Sequence, residues 1–163
     1  MDPGNQIVRL CASGMEAEAQ GQIHTAAALF AQAWEIRSND YEGCIAAHYV
    51  ARHQETQTAR YEWNAEALRR ADAAHDDRVR PLYPSLYLNM GYSCEVIGKV
   101  TEAQHFYTVA ARSLGNLDPG PYADMVGRGV SRALARLRVV DALGSVGPRQ
   151  SIEGDDAGGC DAP

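Results

Sequence analysis

Two stretches of the chain align on each other without a gap. GMEAEAQGQIHTAAALFAQA, beginning at Gly14, lies on GYSCEVIGKVTEAQHFYTVA, beginning at Gly91, at an offset of 77 residues. Gly14 falls on Gly91, Gly21 on Gly98, Ala26 on Ala103, Phe30 on Tyr107 and Ala33 on Ala110. A long-period repeat of this kind is a supersecondary unit that cannot bury its apolar face alone, so neighbouring copies have to stack. A fainter middle copy is expected at an offset of 33 from the first, which puts Ala47, Gln54, Ala59, Trp63 and Glu66 in the corresponding places. The third copy is then delayed by an insertion, Asp76 to Ser85, where Pro81 and Pro84 interrupt helical continuity and mark a loop or a helix start.

Each copy reads as two helices joined by a short turn. Ala26, Leu29, Phe30, Ala33 and Trp34 fall at helical spacing on one side of the second helix in copy one, and Ala103, Phe106, Tyr107, Ala110 and Leu114 do so in copy three. Gly14, Ala47 and Gly91 are small enough for paired helices to approach closely, with Phe30, Trp63 or Tyr107 filling the space alongside. Gly21 and Gly98 suit turns that need positive φ.

The glycine, glycine, alanine, aromatic, alanine pattern, at successive spacings of seven, five, four and three residues, resembles the tetratricopeptide repeat family over roughly residues 7 to 114. That resemblance implies an all-α fold, an α-solenoid of about three helical hairpins. The chain departs from the family's pattern at Leu10 and Tyr87, where tryptophan is frequent, and at Ser38, where proline commonly closes a repeat. After copy three, a break at Pro119 to Pro121 precedes a long amphipathic helix expected to cap the stack. Tyr122, Val126, Val130, Ala133, Leu137 and Val140 line one side of it, and Arg128, Arg132 and Arg136 form a solvated row on the other. One helical domain is therefore expected over residues 1–143, followed by a disordered acidic tail over 144–163, rich in glycine, serine and aspartate.

Composition narrows the function classes. The formal net charge of -6 disfavours a surface for nucleic acid, whose binding rests on clustered lysine and arginine. No apolar run approaches the length needed to cross a bilayer and no basic, apolar leader opens the chain, so a cytoplasmic protein is expected. Cys11, Cys44, Cys94 and Cys160 lie far apart without a zinc-module spacing, as suits reduced thiols.

In the resembled family the first helices of the hairpins line a concave groove, at fixed offsets from the small residue. Carried onto this chain, those offsets gather Met15, Glu18, Cys44, His48, Arg52, Asn89, Tyr92 and Glu95 as the ligand-binding face. Cys44, His48 and Arg52 follow at four-residue spacing, one row on one helix. Glu18 and Glu95, from the neighbouring helices, are both expected to pair with Arg52. Family members that grip peptide carboxylates use lysines where this chain has Cys11 and Ser85, although Asn89 fits one asparagine place.

The leading expectation is a noncatalytic module that binds a protein or peptide partner in the groove, with no cofactor and no metal. The alternative is a small-molecule-binding protein or small enzyme, with His48 as acid or base and Arg52 as an anion clamp. Cys44, His48 and Glu95 hold the ingredients of a nucleophile, base and orienting carboxylate, and Cys11, Cys44 and His48 those of a zinc site. No phosphate-cradling glycine loop, HExxH motif or serine elbow accompanies them. A second polar set, His53, Gln54, Trp63, Asn64, Tyr83 and Ser85, is placed at the joint of copies two and three. There Asn64 either fastens the inserted loop or lines a small pocket. Homodimerisation through an exposed first helix carrying Ile7, Leu10 and Cys11 is a further possibility.

Overall fold

The computed structural model describes residues 2–144, with side chains described as far as Arg138. The expected acidic tail, beyond Gly144, lies outside the described residues. Among the described residues seven α-helices run in chain order: α1 (Gln6–Ala19), α2 (Ile23–Ile36), α3 (Asp40–Val50), α4 (Gln57–Ala73), α5 (Tyr83–Val96), α6 (Val100–Ser113) and α7 (Pro121–Gly144). Three of the starts are capped by side chains legible in the sequence. Asn5 Oδ1 accepts from the N–H groups of Ile7 and Val8 to open α1, Asn39 accepts from Glu42 to open α3, and Thr56 accepts from Ala59 to open α4. The α1–α2 and α5–α6 turns each pass through a left-handed glycine, Gly21 at φ 75° and Gly98 at φ 81°, a conformation that strains other residues.

Helices pair in order, α1 with α2, α3 with α4 and α5 with α6, and the hairpins stack through α2 on α3 and α4 on α5. The long helix α7 then closes the stack by packing on α6 and α5. The expected all-α stack of three hairpins with a terminal helix is the observed architecture. The inserted segment forms a 3-10 helix, Asp77–Leu82, that leads directly into α5, with Pro84 in its first turn where a missing N–H costs nothing.

The repeat has a direct packing cause. A Cβ placed on Gly14 would sit 2.2 Å from Phe30 Cε1, and one on Gly91 would sit 2.4 Å from Tyr107 Cε1. Both aromatics are 0% exposed, so each glycine is the socket for the ring that follows it in the hairpin.

The middle copy sits one residue from its expected register. The capping residues Asn5 and Asn39 are 34 apart, not 33. Buried positions agree: α2 buries Ala26, Phe30 and Ala33, α6 buries Ala103, Tyr107 and Ala110, and α4 buries Asn64 and Ala67 at the matching spacing. Asn64, not Trp63, therefore holds the aromatic's place, and Ala67, not Glu66, holds the alanine's. Trp63 is half-buried and meets Trp34 edge-on, with ring centroids 4.8 Å apart. Glu66 reaches outward to Arg69 and Arg70. Burial in α4 follows the helix phase, which turns Asn64 and not the larger Trp63 inward.

Two further expectations are corrected. Ile7 and Cys11, expected on an exposed face of the first helix, are each 2% exposed because α1 packs on both α2 and α3, and Leu10 is half-buried. On α7, Val126, Val130, Ala133 and Leu137 are buried as expected, but Tyr122 is 47% exposed, and Val140 lies beyond the described side chains. Among the described residues no helix is long and apolar enough to cross a membrane.

Candidate functional site

A cavity of about 300 Å³ is shared by all three hairpins, lined by Glu18 of the first, Ala51, Arg52, Arg60 and Asn64 of the second, and Asn89 and Tyr92 of the third. Four of the residues expected on the ligand face, Glu18, Arg52, Asn89 and Tyr92, meet here. Arg60 and Asn64 enter from α4, a second helix of a hairpin, which the groove expectation did not use. They stand one turn apart, at the places held by Ala26 and Phe30 in the first hairpin. That substitution of arginine and asparagine for alanine and aromatic was the available signal, hidden by the one-residue register error.

The remaining expected residues lie elsewhere. Cys44 and His48 line a separate cavity of about 50 Å³, walled by Ser85, Leu86 and Tyr122 among others. Met15 is 45% exposed on the surface of α1, one turn before Glu18. Glu95 is turned away from Arg52: its carboxylate accepts from Arg136 Nε at 2.6 Å, Arg136 Nη2 at 2.7 Å and the Tyr107 hydroxyl at 2.7 Å. Arg136 thus leaves the solvated row to fasten α7 to α5, and it holds the Glu95 carboxyl below the usual carboxylate range.

Arg52 pairs with Glu18 alone of the two expected glutamates. Its Nε and Nη2 donate to the carboxylate at 2.9 and 2.8 Å, and His53 Nε2 lies 2.6 Å from the same group. This tie joins hairpins one and two. In the packed interface, Asn64 Nδ2 donates to Ser93 Oγ at 2.9 Å, so Asn64 fastens α4 to α5 and not to the inserted loop. Asn64 Oδ1 and Arg60 Nε are buried with no hydrogen-bond partner among the described residues. The other members of the second polar set disperse. Gln54 donates to the Val50 carbonyl, Tyr83 donates to Asp72, and Ser85 donates to the Leu82 carbonyl.

The electrostatics decide against a nucleophilic reading of Cys44. Burial, reinforced by Asp72, pushes its thiol up to about 12, so it is protonated at neutral pH. His48 is depressed to about 4 by burial and secondarily by the charge of Arg52. Its Nδ1 is 3.5 Å from Asn89 Nδ2, the outer limit of a hydrogen bond. With Glu95 committed to Arg136 and Tyr107, the arrangement of nucleophile, base and orienting carboxylate is not assembled. Nor do the described residues gather three or more histidine, cysteine or carboxylate groups in a form that holds a metal ion.

Comparison with family models, with curated proteins and with solved structures finds no match to the chain.

Proposed function

We propose that the chain is a noncatalytic, tetratricopeptide-like interaction module that binds a peptide segment of a partner protein along the face formed by the first helices of its hairpins. One observation carries the reading. Met15 and Tyr92 occupy equivalent places in hairpins one and three, one residue after the socket glycine, and are 45% and 46% exposed. Large apolar groups held at a surface beside fixed polar groups, here Glu18, Arg52 and Asn89, are what a peptide-binding face presents. The cytoplasm is its proposed location, in keeping with Cys11, Cys44 and Cys94 as buried free thiols.

The test is selection of a binding peptide from a displayed library, followed by calorimetry against the wild type, Tyr92→Ala and Met15→Ser. Tyr92→Ala is expected to weaken binding by about tenfold, the 1.4 kcal/mol of a moderate interface anchor. Met15→Ser should act in the same direction and more weakly. Equal affinity of all three proteins for every selected peptide would refute the proposed face.

A further inference from the structure

We infer that a third cavity, beside the loop that leads into α7, is a small-molecule site for an organic ammonium ion, a protonated amine that carries an aromatic or branched aliphatic body. The inference is independent of peptide binding at Met15 and Tyr92.

The cavity has a volume of about 490 Å³, within the range of sites that enclose small ligands. Three segments form its apolar walls. Tyr41 comes from α3, Pro81 and Leu82 from the 3-10 helix of the insertion, and Leu117, Pro119 and Pro121 from the loop between α6 and α7. Pro119 and Pro121 fix φ at two positions of that loop, so its wall is pre-formed. Tyr122 completes the lining: expected on the buried side of α7, it is 47% exposed and stands at this cavity.

Burial grades the interior. Tyr41 and Leu82 are 3% and 9% exposed, whereas the charged residues of the lining, Asp2, Arg78 and Asp118, are all exposed. An apolar body therefore belongs inside and a charge at the mouth. Leu82 and Tyr122 also line the small cavity that holds Cys44 and His48. Both of those groups are neutral at neutral pH, so the inner end offers no partner to a charge.

The mouth selects the sign. Arg78 is already committed: Nη2 pairs with Asp76 Oδ2 at 2.6 Å, and the guanidinium lies 4.3 Å over the Tyr41 ring. Asp2 and Asp118 form no ion pair among the described residues, and Asp2 Oδ1 accepts from the Gly4 amide. Two carboxylates are thus left to meet a cation, and the one guanidinium of the lining is not left to meet an anion. The exposed ring of Tyr122 adds a π face that favours the same sign.

The experiment is an NMR titration of the full chain, observing the Leu82 and Leu117 methyls and the Gly120 amide, with 4-phenylbutylamine as the probe. 4-Phenylbutanol replaces its charge with a neutral polar group, and 4-phenylbutyrate reverses it. The amine is expected to give saturable shifts at these groups with a Kd of about 1 mM or tighter. The alcohol should bind about fivefold more weakly, the scale of a solvent-exposed ion pair, and the carboxylate more weakly still. Sodium chloride at about 0.5 M should narrow the gap between amine and alcohol. Asp2→Asn combined with Asp118→Asn alters only exposed side chains, and should bring the amine to the alcohol's affinity without changing the alcohol's. Absence of saturable shifts from the amine would overturn the inference. Equal affinities of amine and alcohol for the wild type, or tightest binding by the carboxylate, would overturn it as well, because the two aspartates would then not select the ligand. Amine shifts centred on Asn89 and Tyr92 instead would also overturn it, placing the ligand on the peptide face.

Discussion

Gly91→Ala isolates the packing that defines the repeat. The added methyl carbon would lie 2.4 Å from Tyr107 Cε1 and 2.5 Å from Cδ1, about 1 Å or more inside an ordinary carbon contact of about 3.5–4.0 Å. The ring has nowhere to retreat. It is 0% exposed, and its hydroxyl is held by Glu95, which also holds Arg136 of α7. Overpacking of this kind costs about 1–3 kcal/mol. Withdrawal of the ring would also break a hydrogen bond to a charged group, worth about 1.5–3 kcal/mol. Helix propensity opposes both by about 1 kcal/mol in favour of alanine. The expected net is a destabilisation of about 1.5–5 kcal/mol, read as a lowered urea midpoint by circular dichroism. Gly127→Ala in α7 is the matched control, because its methyl would meet nothing nearer than Leu114 Cδ1 at 4.0 Å. It should be neutral or stabilising by up to about 1 kcal/mol. A Gly91→Ala protein as stable as the wild type, or more stable, would refute the socket argument, since propensity alone predicts that sign.

Two further outcomes follow from the titrating groups. His48 titrates at about 4 in the folded state against a reference of 6.5, so the unfolded chain takes up the proton first. Stability from this group is complete above pH 6.5 and declines as pH falls towards 4, with a limiting slope of about 1.4 kcal/mol per pH unit. Urea titrations of the wild type and His48→Gln across that window should show the extra slope in the wild type; parallel curves would remove the buried, neutral histidine from the account. Cys11 and Cys44 are 2% and 0% exposed, with thiols pushed up to about 12 by burial. Iodoacetamide labelling mapped by mass spectrometry should therefore leave both unmodified until urea unfolds the chain, and labelling at the rate of a free peptide thiol would contradict it.

Much of the architecture is legible in the sequence because the determinants are local or periodic. Asn5, Asn39 and Thr56 precede their helices, Gly21 and Gly98 mark turns, and the apolar spacing of α2, α6 and α7 fixes their buried sides. The middle copy is harder to read because α4 carries charge or polarity around most of its circumference. Trp63 and Asn64, adjacent in sequence, point to different sides of the helix. Size pointed to the tryptophan, and packing chose the asparagine.

The candidate site divides along the same line. Glu18, Arg52, Asn89 and Tyr92 were placed by their offsets from a small residue, and they do converge. Cys44 and His48, on the same helical row as Arg52, line a different cavity, because a row of four-residue steps drifts around a helix and the 3-10 turn Ala51–His53 redirects its end. Glu18 and Glu95 hold equivalent positions and were both expected at Arg52, but α7 brings Arg136 to the second.

The sequence by itself determined three helical hairpins, their order, and the glycine-to-aromatic sockets of the first and third, since each rests on residue size, capping chemistry or a 3.6-residue period. Tertiary structure alone decided the phase of α4, the partition of charges between Arg52 and Arg136, and the burial of Arg60 Nε and Asn64 Oδ1 without partners among the described residues. Those outcomes depend on which side chains neighbouring helices bring within hydrogen-bonding distance, a quantity fixed by the stacking of hairpins and not by spacing along any one of them.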